Sequence, residues 1–252
     1  MPRVLVVGET WMIHETHIKG WDEFTASRYE SGLGPLQAAL ADSDVEIEHL
    51  PAHLAGAEFP SSSAELDAFD VVLLSDIGAN TLLLHPDTWA GTPTVDRLAV
   101  LAEWVEGGGG LAMAGGYLSF QGIQARAAYA GTAVERVLPV ELLPHDDRVE
   151  APGGCQPDVV DAAHPVVDGI TGAWPVLLGY NRLVARSDAN ILVRSGDDPL
   201  LAVGEVGSGR SLAWASDVGP HWCPTRFTEW DGYARLWQQA FTWLAGVGPS
   251  RR

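Results

Sequence analysis

Three short unbroken apolar runs, Val4-Leu5-Val6-Val7, Val71-Val72-Leu73-Leu74 and Leu111-Ala112-Met113-Ala114, mark the first half of the chain. A strand with both faces buried in a parallel sheet needs this pattern, because neither face can be polar. Between the second and third runs, Val95, Leu98, Ala102 and Val105 recur at helical spacing and Gly107 to Gly110 end the segment. That pattern predicts a right-handed βαβ crossover. Val45-Glu46-Ile47-Glu48-His49-Leu50 alternates apolar and polar residues, which suits a strand nearer the sheet edge, and a helix is predicted before it around Leu36 to Ala41. The first half therefore reads β-loop-α-β-β-α-β, the signature of a doubly wound, mostly parallel α/β sheet with helices on both faces.

From about 131 to 190 the periodicity fades and prolines gather at 139, 144, 152, 157, 165 and 175, predicting a loop-rich insertion with short strands. Such insertions often roof a site. Ile191-Leu192-Val193, Leu200-Leu201-Ala202-Val203, the turn Gly207-Ser208-Gly209 and Ser211-Leu212-Ala213-Trp214-Ala215 then predict a closing β-hairpin. Tyr233, Leu236, Trp237, Ala240, Phe241 and Leu244 fall on one helical face, with Thr228 and Asp231 spaced as a capping box and Gly246 as a stop. The tail from Gly248 to Arg252 is expected to fray. One domain over 1–252 accommodates all of this.

Composition narrows the partners. A formal charge of −18 against only 15 Lys and Arg excludes nucleic acid and anionic membrane surfaces, leaving a small-molecule ligand or a homo-oligomer. No apolar stretch reaches the roughly 20 residues of a membrane span and no signal-peptide core precedes the first strand, so a cytoplasmic location is expected. Cys155 and Cys223, far apart in sequence, are expected as free thiols.

In open α/β sheets ligands sit beyond the carboxyl ends of the strands, which directs attention to the segments just after each run. The first is followed by Glu9, Trp11, His14, His17, Lys19, Asp22 and Tyr29, the second by Asp76, Gly78 and Asn80. After the third come Gly116, Tyr117 and Gln121, and after the hairpin Asp217, His221 and Trp222. The stretch from Glu9 to Ser31 is long for a strand-to-helix connection and reads as a binding loop, or else as a solvated surface anchored by Trp11 and Trp21. Gly78 would let backbone approach a ligand, whereas Asp76 serves equally as a turn cap.

The segment Gly115-Gly116-Tyr117-Leu118-Ser119-Phe120-Gln121 reads as a strand turning abruptly into a helix. It resembles the elbow of class I glutamine amidotransferases, Gly-x-Cys-x-Gly-x-Gln, with Tyr117 on the cysteine, Ser119 on the second glycine and Gln121 on the glutamine. The resemblance to an amidotransferase-like branch of that superfamily continues through Lys19-Gly20-Trp21-Asp22, Ser75 to Asn80 and Pro220-His221-Trp222, and extends more distantly to trehalose-utilisation proteins. It implies a flavodoxin-like fold, backbone N–H groups at Ser75 to Asn80 facing a developing oxyanion, and a Tyr117–His221 pair where nucleophile and base would stand. The carboxylate expected two residues beyond the histidine is Cys223, so the triad is degenerate, with Asp217 or Glu229 as substitutes by position. Cys223 itself reads either as a displaced nucleophile beside His221 or as a partly buried inert thiol.

A phenol with pKa near 10 replaces a thiolate poorly but suits acid–base work when a cation such as Lys19, or a metal, lowers its pKa. The expected function is a metabolic enzyme acting on a small polar or carbohydrate-like molecule with Tyr117 and His221 as acid and base. The alternatives are a non-catalytic binding module and a metal-dependent hydrolase using His14, His17, Asp217 and His221. No cofactor is predicted, and a divalent metal has only the loose spacing of His14 and His17 in its favour.

Overall fold

The apolar runs become the middle of an eight-stranded sheet in a computed structural model that describes residues 1–246; the tail expected to fray lies outside the described residues. The chain opens with β1 (Arg3–Gly8), β2 (Thr10–Lys19), β3 (Asp22–Ser31), α1 (Gly34–Leu40), β4 (Glu46–Leu50), α2 (Ala52–Glu58), α3 (Ser63–Leu66) and β5 (Val71–Ser75). It continues with α4 (Ala79–Leu83), α5 (Pro86–Trp89), α6 (Arg97–Glu106), β6 (Gly110–Ala114), α7 (Ala133–Val137), β7 (Val140–Glu141), β8 (Arg148–Cys155) and β9 (Asp158–Val159). It ends with β10 (Leu177–Asn181), β11 (Val184–Ala185), β12 (Asn190–Ser195), β13 (Asp198–Val206), β14 (Gly209–Trp214), α8 (Thr225–Thr228) and α9 (Asp231–Leu244).

The sheet order is β4-β1-β5-β6-β14-β13-β12-β9, with β4, β1, β5, β6 and β14 parallel and the rest antiparallel. Counting only the parallel strands in chain order gives 2-1-3-4-5, the flavodoxin-like arrangement, which places the topological switch between β1 and β5. Every residue of β5 and β6 is buried, as two-sided packing requires. Helices α1 and α9 pack together, with α9 against β6 and β14, while α2, α4, α6 and α3 form a second group.

Local expectations needed correction at four places. The crossover helix starts at Arg97, not Val95, because the Asp96 carboxylate caps it by accepting the N–H groups of Leu98 and Ala99. Thr228 and Asp231 form no capping box: the Thr228 hydroxyl donates to the Thr225 carbonyl and the residue before α9 is Trp230. The stretch from Glu9 to Ser31 is no loop but an arm, β2 and β3 paired residue for residue from Thr10↔Ser31 to Lys19↔Asp22 around the tip Gly20-Trp21.

The fourth correction concerns the turn after β6, where no α-helix begins. Phe120, Gln124, Ala125 and Ala128 all take positive φ, which a right-handed helix forbids. The amides are paired by side chains instead. The Asp147 carboxylate accepts the N–H groups of Gln121 and Gly122, both at 2.9 Å, and Asp146 accepts that of Gln124 at 2.8 Å. Asn181 on β10 accepts the Gly116 N–H at 3.0 Å and donates to Asp147 at 2.7 Å. The segment 131–190, with its short strands, thus supplies the clamp that shapes the turn.

Asp147→Ala would orphan two buried amides and one Asn181 donor together, so it should lower stability by about 2–4 kcal/mol in urea denaturation. A loss below about 0.5 kcal/mol would show that water substitutes for the carboxylate.

Candidate functional site

The parallel strands β1, β5, β6 and β14 end on the same side, and the residues just beyond them meet around one cavity of about 300 Å³. Its lining is Glu9, Trp11, Gly32, Asp76, Tyr117, Asp217, Gly219, Pro220 and His221. Glu9 and Asp76 each leave their strand in the left-handed region, at φ 52° and 46°. That conformation is uncommon outside glycine and turns both carboxylates inward. Between Asp76 and Asp217, Gly116 (φ 141°) has no alternative: a Cβ there would stand 2.9 Å from Asp76 Oδ1 and 3.1 Å from Asp217 Oδ1.

The aromatic side of the site is tightly ordered. The Tyr117 and His221 rings meet edge-on with centroids 4.7 Å apart, and Trp222 stacks behind His221 at 5.3 Å. The Tyr117 hydroxyl donates to Glu150 Oε1 at 3.1 Å, and the Trp222 indole N–H donates to the other oxygen of the same carboxylate at 3.0 Å. The Arg148 guanidinium lies over the Tyr117 ring, 4.9 Å from its centroid. His221 Nδ1 is 3.1 Å from Asp217 Oδ2, which also accepts the Trp222 backbone N–H. Of the two carboxylates considered as partners of His221, Asp217 is the one in contact, while Glu229 caps the end of α8.

Charges here are crowded and poorly solvated. Burial, reinforced by the negative charge of Asp76, pushes the Glu9 carboxyl up to about 8, against a bond from Ser75 Oγ at 2.5 Å that pulls it down. Burial likewise raises Asp76 above the usual carboxylate range, despite the amide N–H that Leu118 gives it at 2.8 Å. His221 is raised by its hydrogen bond to Asp217, which favours the imidazolium. Tyr117 is raised by burial and by Glu150, contrary to the lowering expected from Lys19, whose ammonium instead stands over Phe24. Cys223 is wholly buried and burial raises its thiol well above the ordinary value, the opposite of an activated nucleophile.

Several expected site residues lie elsewhere. His14, Lys19, Asp22 and Tyr29 are on the arm: His14 bonds Ser27 at 2.7 Å, and Tyr29 packs edge-on against His53. His17 stacks on Phe24, so it and His14 do not join Asp217 and His221 in a ligand set. Among the described residues no group of three or more His, Cys, Asp or Glu side chains is arranged to hold a metal ion. Asn80 is exposed on α4, and Gly78 faces the backbone of Ala127, not the cavity. Gln121 is buried beneath the turn, its side-chain carbonyl accepting the Ala130 N–H. The Asp76 backbone N–H, expected to face a ligand, donates to Ser119 Oγ at 3.0 Å. The Asp76 carboxylate accepts the N–H of Leu118, forty-two residues away, and so acts across the fold and not as a local turn cap.

Ser75, Ser119, Asp147, Arg148, Glu150 and Asn181 were not singled out as site residues. The last four lie in the segment without periodicity, where no spacing reveals that β8 and β10 fold back over the strand ends.

Residues 3–246 match the model of a family described as "Putative glutamine amidotransferase". Two solved cytoplasmic proteins of Salmonella typhimurium are similar, at 44% and 40% identity, each with a TM-score of 0.92 over 96% of this chain and 98% and 99% of theirs. A ThuA-like protein of Bacteroides uniformis shares the fold at 10% identity, with a TM-score of 0.57 over 98% of this chain and 93% of its own. No curated protein matches the chain.

Glu9 ties the site to stability through pH. Its folded pKa of about 8 stands above the unfolded value of about 4.5, so its protonated form contributes stability fully below pH 4.5 and loses it as pH rises through 8. Glu9→Gln should flatten that decline, leaving the variant more stable than the native protein by roughly 2–5 kcal/mol at pH 9 in urea denaturation. Parallel pH profiles for the two proteins would show that Glu9 is already ionised at neutral pH.

Proposed function

The chain belongs to the family described as "Putative glutamine amidotransferase", and from that premise we propose that it is an enzyme that moves a proton on a small, polyhydroxylated, neutral or cationic molecule, without glutaminase chemistry. The observation that carries this reading is the composition of the cavity, where an oriented Asp217–His221 pair and Tyr117 share space with the carboxylates of Glu9 and Asp76. In the amidotransferase resemblance Tyr117 takes the place of the cysteine, and at a nucleophile elbow the N–H of the next residue, here Leu118, is a further oxyanion donor besides those of Ser75 to Asn80. That N–H is already given to Asp76. An oxyanion forming within about 4 Å of an ionised carboxylate would be opposed by about 4 kcal/mol at an effective dielectric constant of 20. Acyl transfer through an anionic intermediate is therefore disfavoured twice, by the missing thiol and by the occupied donor.

Hydroxyl groups of a carbohydrate-like substrate suit the same lining, since carboxylate oxygens accept hydrogen bonds, the protonated Glu9 carboxyl also donates one, and Trp11 offers an apolar wall at the mouth. In this reading His221, holding its Nδ1 proton toward Asp217, donates a proton to the substrate from Nε2. Tyr117 takes a proton from a substrate hydroxyl while passing its own to Glu150, so the phenol stays neutral throughout. The two Salmonella relatives described as cytoplasmic support the same location for this chain.

The test follows solvent deuterium incorporation or conversion by NMR across a panel of neutral and amine-bearing sugars and polyols, with ammonia release from glutamine measured alongside. Turnover should fall about 100-fold or more in His221→Gln and in Tyr117→Phe while their thermal melts match the native protein. Ligand binding without turnover would reassign the chain as a binding module. Ammonia release from glutamine would refute the electrostatic argument.

A further inference from the structure

The arm is the least self-sufficient part of the molecule. A two-stranded ribbon is marginal in water by itself, yet β2 and β3 run for ten residues each with no third strand beside them. Its two faces differ. One carries the ion pairs of Glu15 and Glu30 with Arg28 and the stack of His17 on Phe24. The other brings Met12, Ile18 and Tyr29 to the surface with little charge, and Ile18 is 71% exposed. At the tip Trp21 is completely exposed, next to Lys19, the single lysine of the sequence. Exposed apolar surface concentrated in this way marks an interaction site.

The root of the arm is the rim of the cavity, since Trp11 and Gly32 line it. We propose that two copies of the chain pack their arms antiparallel across a two-fold axis through the uncharged face, so that each Lys19–Trp21 tip closes the partner's cavity. The geometry follows from symmetry: two equal arms laid antiparallel over their full length put each tip at the other's root. The charges agree, because the cavity holds Glu9, Asp76 and Asp217, and no Lys or Arg lines it. The area agrees too. Ten residues at about 3.3 Å each give an arm about 33 Å long, and two such narrow faces bury well under the about 1,000 Å² of a stable interface. The tips must therefore dock on the partner's body, and the rim is what lies beneath them.

This assembly does not rest on the proposed chemistry, and its test needs no substrate. Sedimentation of the full chain at about 20 μM should show a dimer, and Met12→Asp with Ile18→Asp should return it to monomer with an unchanged melt, both side chains being exposed. Zero-length carbodiimide coupling of a mixture of unlabelled and ¹⁵N-labelled protein should join Lys19 of one chain to a carboxylate at the root of the other arm, Glu30 first, and Lys19→Gln should abolish that product. A monomeric native protein would overturn the proposal. So would a dimer that survives both aspartates, or one in which Lys19 couples only within its own chain.

Discussion

A backbone amide buried away from water must find an acceptor, and at the turn after β6 the acceptors are carboxylates. A helix there would have paired Gln121, Gly122 and Gln124 with carbonyls of the preceding turn. Side chains from three other segments take the amides instead: Asp76 after β5, and Asp146 and Asp147 before β8, with Asn181 on β10 binding Asp147 and Gly116 together. Each bond joins residues at least twenty-two positions apart. The turn is thereby shaped by tertiary structure, and the segment from 131 to 190 is as much a part of the site as the strands.

That solution fixes the electrostatics of the cavity. Using Asp76 to satisfy the Leu118 amide places a negative charge where an oxyanion-stabilising site would offer a donor, and Asp217 adds a second on the other side of Gly116. Glu9 responds by holding its proton to about pH 8. His221 is shifted upward as well, its imidazolium favoured by Asp217. The pair of shifts follows from one arrangement of charge, and it is the environment in which a hydroxyl-rich or cationic guest is better placed than an anionic one.

The sequence revealed the sheet because a parallel strand buried on both faces has no room for a polar residue, and the runs at Val4, Val71 and Leu111 say so directly. The same logic of strand ends led to Glu9, Asp76, Tyr117, Asp217 and His221, which the fold brings around one cavity. It failed for His14, Lys19 and Asp22, because a long polar segment after a strand reads alike whether it folds over the sheet or stands away from it as an arm. It failed for Asp147, Glu150 and Asn181, because pairing between β8 and β10 has no periodic trace in a segment broken by prolines. It misread Gln121 because a buried glutamine bonded to a backbone amide looks, in sequence, like one that meets a ligand.

Two features of the cavity work against the stability of the fold. Glu9 and Asp76 hold left-handed backbone angles outside glycine, which costs on the order of 1 kcal/mol each, and both bury a carboxyl among others of its kind. A glutamine at position 9 would remove the carboxyl's charge and still offer an acceptor to the buried Ser75 hydroxyl. The structural carboxylates of this protein are each met by two or more donors: Asp96 and Asp146 at the surface, and the buried Asp147 by three. Strain and unrelieved charge gathered at the ends of neighbouring parallel strands, around an open cavity, are the marks of a site kept for what it binds.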